Sequence, residues 1–157
     1  MTDMTRALRH LAWTNDKLFR EMAALPPEAL DASYAPTAWP VGQLAVHIVG
    51  GTEWYCYCLA GMQWTDLTPP TGPADLEQLR QRLADLDAVL IAQAPLVDEL
   101  VEFEDEDGPR TALRSTILAQ ACLHATEHRA QIACALEVHG WDLTLDDYDV
   151  WAFAEQE

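Results

Sequence analysis

The chain has 157 residues, half of them hydrophobic, and its 26 acidic and nine basic side chains give a formal net charge of −17. A surface of this charge repels nucleic-acid phosphates and anionic membranes, so neither is an expected partner, and solubility explains the acidity most simply. The length fits one domain, residues 1–157, that can bury about two thirds of its unfolded surface.

The N-terminal stretch MTDMTRALRHLAW lacks the apolar segment and cleavage site of a secretion signal. No run of about 18 apolar residues predicts a membrane-spanning helix. We therefore expect a cytoplasmic protein with reduced cysteines, which lie in the core or at its boundary. These are Cys56, Cys58, Cys122 and Cys134.

Four long segments carry apolar residues at helical spacing, at about residues 3–24, 40–61, 73–94 and 113–139. Prolines mark their ends: Pro26 follows the first, Pro40 lies in the first turn of the second, and Pro95 closes the third. Gly140 is a predicted C-cap of the fourth. A short helix is predicted at about residues 146–154.

Between the third and fourth helices, Val101 and Phe103 alternate with acidic residues, and a Glu-Asp-Gly stretch ending at Gly108 follows. This pattern predicts a short hairpin or an extended stretch, with an acid-rich tip that is solvated surface rather than a cation site. The expected fold is all-α, a four-helix bundle with this short insertion.

The stretch CLHATEHRAQI, residues 122–132, holds two histidines four residues apart. On a helix they lie one turn apart and about 40° apart around the axis, so His124 and His128 can reach one common point. Helical phase places both on the inward stripe, beside Gln131. Buried imidazoles need a shared ligand or separate hydrogen-bond partners, so this pair alone leaves a metal site and structural histidines both open.

A third histidine, His47, lies on the predicted inward face of the second helix. Three neutral imidazoles from facing helices can bind a divalent ion and leave positions open for a reacting ligand. Zn or Ni is expected first, with Mn, Fe or Co as alternatives. Gly50 and Gly51 either make room beside the ion or allow close helix packing.

Other polar residues on the helices have different expected roles. Asn15 falls on the apolar face of the first helix, where its amide must bond to a neighbouring loop or line a cavity. His10 lies off that face and His139 lies in the last turn of the fourth helix, so both are predicted to be surface residues.

Three stretches together resemble the DinB/YfiT-like superfamily, which is unrelated to the DNA polymerase of the same name. WTN at residues 13–15 is similar to its W-x-N stretch, and LAVH at residues 44–47 to its L-x-x-H segment. HATEHRAQI at residues 124–132 is similar to its H-x-x-x-H-R-G-Q-I signature. Ala130 replaces the usual glycine, a mild change that is not expected to remove a metal.

The resemblance implies a four-helix bundle, usually homodimeric, with a divalent metal held by His47, His124 and His128. It also implies a thiol-dependent S-transferase or isomerase, or a hydrolase, that uses a low-molecular-weight thiol such as bacillithiol or mycothiol on a small-molecule substrate. Asn15, Trp54 and Gln131 are then candidates for the pocket around the ion. No catalytic residue is assigned.

Two alternatives remain open. One is a non-catalytic, dimeric stress- or damage-response bundle in which the metal is structural or absent. The other is a bundle whose histidines are satisfied core residues. Three neutral ligands leave coordination positions of the ion open and its charge uncompensated, which favours an enzyme. The negative surface charge disfavours a strongly anionic substrate.

Overall fold

Four long helices dominate the fold, and the computed structural model describes residues 4–156. Each predicted long helix is present, with its ends within two residues of the expected positions. In chain order the elements are α1 (Thr5–Ala24), α2 (Val41–Ala60), α3 (Pro73–Gln93), β1 (Leu100–Asp105), β2 (Gly108–Leu113), α4 (Arg114–Val138) and α5 (Val150–Ala154). Short 3-10 turns lie at Pro27–Asp31 and Leu145–Tyr148.

The helices end where the sequence stops supporting them. Pro40 is the N-cap of α2, with extended backbone, and its fixed φ leads directly into the first turn. At the end of α4, Gly140 adopts a φ of 84°, a left-handed conformation that glycine reaches without strain. This confirms the predicted cap.

A two-stranded hairpin joins α3 to α4, so an all-α protein is too simple a description. Strands β1 and β2 pair antiparallel, with Leu100 opposite Leu113 and Asp105 opposite Gly108. The hairpin forms because Val101 and Phe103 point inward and pack on the core, whereas the intervening acidic residues face solvent. Asp107 at the tip is exposed, as expected of a solvated turn.

The core lies between the helices, where α1 packs on α3, α2 packs on α4, and α2 also contacts α3. Its largest fully buried side chains come from all four helices; they include Phe19, Ile48, Leu86 and Ile132. Burial of each such side chain contributes about 1.5–3 kcal/mol. Within residues 4–156, no helix combines the length and apolarity needed to cross a membrane.

The C-terminal segment packs back on α1. His10 Nε2 lies 2.7 Å from the carbonyl oxygen of Tyr148, and the Trp13 ring lies 5.6 Å from that of Phe153. His10 is therefore partly buried, and its assignment to the surface was wrong because the contact partner lies 138 residues away in the chain. His139 is exposed, as predicted.

All four cysteines are free thiols. Cys56 and Cys58 are buried in α2 and Cys122 is partly buried, as expected of core or boundary residues. Cys134 is different, because it lies exposed on the outer face of α4.

A polar pair lies buried between α1 and α3. Asn15 Nδ2 donates hydrogen bonds to both carboxyl oxygens of Asp87, at 3.2 and 3.0 Å. Of the two predicted roles of Asn15, the bond to a loop is wrong, because a helical carboxyl is its partner, whereas the position at the wall of a cavity is confirmed. Burial raises the pKa of Asp87 to about 7, and the hydrogen bond from Asn15 only partly offsets this effect.

This pKa predicts a pH-dependent stability. Because Asp87 binds its proton more tightly in the folded chain, its contribution to stability is full at low pH and is lost as the pH rises through about 7. We expect this group to lower the free energy of unfolding by about 3 kcal/mol between about pH 5 and pH 8.

Urea unfolding across this pH range should show that Asp87→Asn lacks the decrease. Asp85→Asn, at an exposed position of the same helix, is the matched control and should behave like the parent. The same pH dependence in all three proteins would contradict the assignment.

Candidate metal centre

Three imidazoles converge where α2 and α4 touch. His47 projects from α2, and His124 and His128 project from successive turns of α4. One nitrogen of each ring lies within 4.8 Å of the other two. The Nε2 atoms of His47 and His124 are 3.1 Å apart. The structure therefore brings together the three residues that the sequence singled out as ligands.

Gly51 makes room for this convergence. A Cβ at position 51 would lie 2.9 Å from Nδ1 of His124 and closer still to Cε1. Real side chains do not tolerate such contacts, so the His124 ring occupies the space that a side chain would fill. Gly50 differs, because its Cβ would meet only Leu67, at 3.8 Å. The two glycines therefore have different roles, and only Gly51 makes room for a ring of the histidine cluster.

Gln131 orients one of the three rings. The Nδ1–H of His128 donates to Oε1 of Gln131 over 2.7 Å. The lone pair of that ring is then on Nε2. A hydrogen bond of this kind fixes the tautomer and orientation of a metal-binding imidazole. The predicted neighbour of the histidines is in contact with one of them.

The surroundings favour neutral imidazoles. Burial lowers the pKa of His124 to about 4, and the neighbouring His128 and His47 lower it further. Burial also lowers the pKa of His47, with a smaller contribution from His128. Neutral imidazole is the form that binds metal, so these ligands need little deprotonation near neutral pH.

Two aromatic residues beside the cluster were not predicted from the sequence. The Trp39 ring lies 4.8 Å from that of His47, and the Tyr55 ring lies 5.8 Å from that of His124. Trp39 lies before the first residue of α2, so helical phase does not predict which way its side chain points. Tyr55 lies two turns beyond His47 and contacts a ring from the opposite helix, which only the helix pairing reveals.

Two predicted pocket residues have other contacts. Asn15 is paired with Asp87 at the α1–α3 interface. Trp54 follows His47 by seven residues, about 10 Å along the helix axis. Its ring stacks with that of Trp64 at 5.4 Å and contacts Phe103 at 5.7 Å, so it packs the hairpin onto α2.

Comparisons with known proteins support the sequence resemblance. The sequence model of the DinB family matches residues 1–156. The fold is similar to the 1.70 Å crystal structure of a candidate DinB-family member from Exiguobacterium sibiricum, with a TM-score of 0.67 and 25% identity over 93% of this chain and 98% of that chain. No curated protein matches the sequence. Because the family match covers nearly the whole chain, the protein belongs to the DinB family.

Proposed function

We propose that the protein is a metal-dependent enzyme that holds one divalent ion through His47, His124 and His128. The convergence of three imidazole nitrogens within 4.8 Å of one another carries this proposal. Each comes from a helix rather than a loop, so the ligand positions are held by the packing of α2 on α4.

The spacing of the His47 and His124 nitrogens fits a common ion. In a tetrahedral zinc site the ligand nitrogens lie about 3.3 Å apart, since each is about 2.0–2.1 Å from the metal. The Nε2 atoms of His47 and His124, 3.1 Å apart, are close to this value. Two lone pairs facing each other at this distance repel, so a proton or a cation must lie between them. Zn or Ni fits this donor set, and Mn, Fe or Co are alternatives.

An ion in such a site supplies Lewis-acid activation of water or a thiol near neutral pH. Residues of the chain orient the ligands: Gln131 fixes the His128 ring, and Trp39 and Tyr55 pack against the rings of His47 and His124. The family resemblance favours a thiol-dependent S-transferase or isomerase, or a hydrolase, acting on a small molecule with a low-molecular-weight thiol.

A second candidate function is a non-catalytic homodimeric bundle of a stress response, with a structural metal or none. The outer face of α4 favours a dimer, since Leu123 and Val138 are 66% and 63% exposed there. Ala130 and Cys134 lie exposed on the same helix. A second copy would cover these four side chains. Loss of thermal stability on chelation, without turnover of any thiol and electrophile tested, would favour this function.

Removal of a ligand tests the metal site directly. We expect His47→Ala and His124→Ala to lose the stoichiometric ion, because two imidazoles cannot retain a divalent ion through dialysis as three can. Elemental analysis after zinc loading measures this. His139→Ala, at an exposed position, is the control and should keep the parent's metal content. Full zinc occupancy in His124→Ala would rule out the site.

The glycine pair gives a second, steric test. Gly51→Ala should weaken zinc binding at least about tenfold, because the new methyl group displaces the His124 ring from the cluster. Gly50→Ala should bind zinc like the parent and gain up to about 1 kcal/mol of helix stability. Competition with a chromophoric chelator gives both affinities. Equal zinc affinities in the two variants would contradict the role of Gly51.

The hydrogen bond to His128 should also contribute to metal affinity. Gln131→Leu removes the acceptor, and loss of such a partner typically costs roughly 10–100-fold in affinity. Gln131→Glu keeps an acceptor at the same position and should retain most of the binding. Similar affinities for the parent and the leucine variant would show that Gln131 does not orient the ligand.

A further inference from the structure

A separate cavity of about 150 Å³ lies between α1 and α3. We call it the Asn15–Asp87 cavity, after the two polar side chains that line it. Asn15 is 1% exposed and Asp87 is 3% exposed. The cavity lies between a different pair of helices from the histidine cluster, and nothing in the proposed metal chemistry uses it.

One buried acceptor that lines the cavity has no hydrogen-bond donor. Asn15 Oδ1 has no partner, and it is the single buried side-chain polar atom in this state among the residues described. An unpaired buried acceptor costs about 1–3 kcal/mol. Asn15 Nδ2 already donates to both carboxyl oxygens of Asp87, so the amide cannot turn its oxygen toward an ionised Asp87 without losing those bonds.

Among the residues described, no unpaired positive charge lines the cavity. Arg80 lines it but is bound to Glu77 and Asp16. The neighbouring side chains from α2 and α4 are the thiols of Cys56 and Cys122, whose pKa values burial raises to about 12 and about 11, so both are neutral. Among the residues described, no cationic side chain forms an ion pair with Asp87, so its charge is balanced by a proton or by a bound cation.

The size and walls of the cavity restrict that cation. Its volume of about 150 Å³ leaves room for several water molecules or a small organic ion, and Ala12, Leu83 and Ile91 provide apolar walls. A bare metal ion prefers about six or more oxygen ligands, which these side chains do not offer. A primary ammonium group has three N–H donors, matching Asn15 Oδ1 and the two Asp87 oxygens, and its short alkyl chain can contact the apolar walls.

We propose that the Asn15–Asp87 cavity binds a small primary alkylammonium ion of about two or three carbons. Asp87 supplies the counter-charge, and Asn15 Oδ1 accepts an N–H bond that it otherwise lacks. The formal net charge of −17 raises the concentration of cations near the surface and so favours entry. This site is independent of the proposed metal function.

Thermal unfolding with ethylammonium chloride tests the proposal, at pH 8 in a buffer without primary amines. We expect a saturable rise in Tm of a few degrees above that produced by sodium chloride at equal ionic strength. Tetramethylammonium chloride, which is cationic but has no N–H donor, should give no such rise. A parent protein that responds equally to all three salts would overturn the proposal.

Four variants locate the ligand. Asp87→Asn should abolish the specific rise, and Asp85→Asn, at an exposed position of the same helix, should retain it. Ala88→Leu should abolish it by filling the cavity while leaving the polar pair intact, so this variant decides the matter if Asp87→Asn folds poorly. An undiminished rise in Ala88→Leu, or a rise lost only in His124→Ala, would overturn the proposal, the latter by placing the amine at the histidine cluster.

Discussion

The close contact between the His124 ring and the backbone of α2 at Gly51 is the constraint on which the site depends. A Cβ there would lie 2.9 Å from Nδ1 of His124, so only glycine allows this approach. The contact brings His124 to 3.1 Å from His47. Since His128 lies one turn further along α4, the same contact places the third ring. The geometry of the cluster is thus a property of helix packing and not of any loop.

Buried polar groups elsewhere hold the helices in the arrangement that this contact requires. Arg129 Nη1 donates to Thr14 Oγ1 over 2.8 Å and joins α4 to α1. Glu53 accepts hydrogen bonds from Arg82 of α3 and from Thr65 in the segment after α2, at 2.8 and 2.6 Å. Asn15 Oδ1, at the α1–α3 interface, is different. Among the residues described, it is the one buried side-chain polar atom without a hydrogen-bond partner.

Much of this arrangement follows from sequence periodicity. Apolar spacing and flanking prolines locate the helices, and helical phase turns His47, His124 and His128 inward. Periodicity does not specify which helices pair. It therefore missed Tyr55, which contacts a ring on another helix, and the partner of Asn15. Contacts distant in sequence, such as His10 with Tyr148, and residues outside helices, such as Trp39, carry no local signal.

Three imidazoles that share one divalent ion form a ligand shell that can be measured. X-ray absorption spectroscopy of the zinc-loaded protein tests this shell most directly, because nitrogen and sulfur ligands differ in distance. We expect three imidazole nitrogens at about 2.0–2.1 Å, completed by light atoms from solvent or substrate. A shell of sulfur at about 2.3 Å, or fewer than three imidazoles around the zinc, would contradict a three-imidazole site.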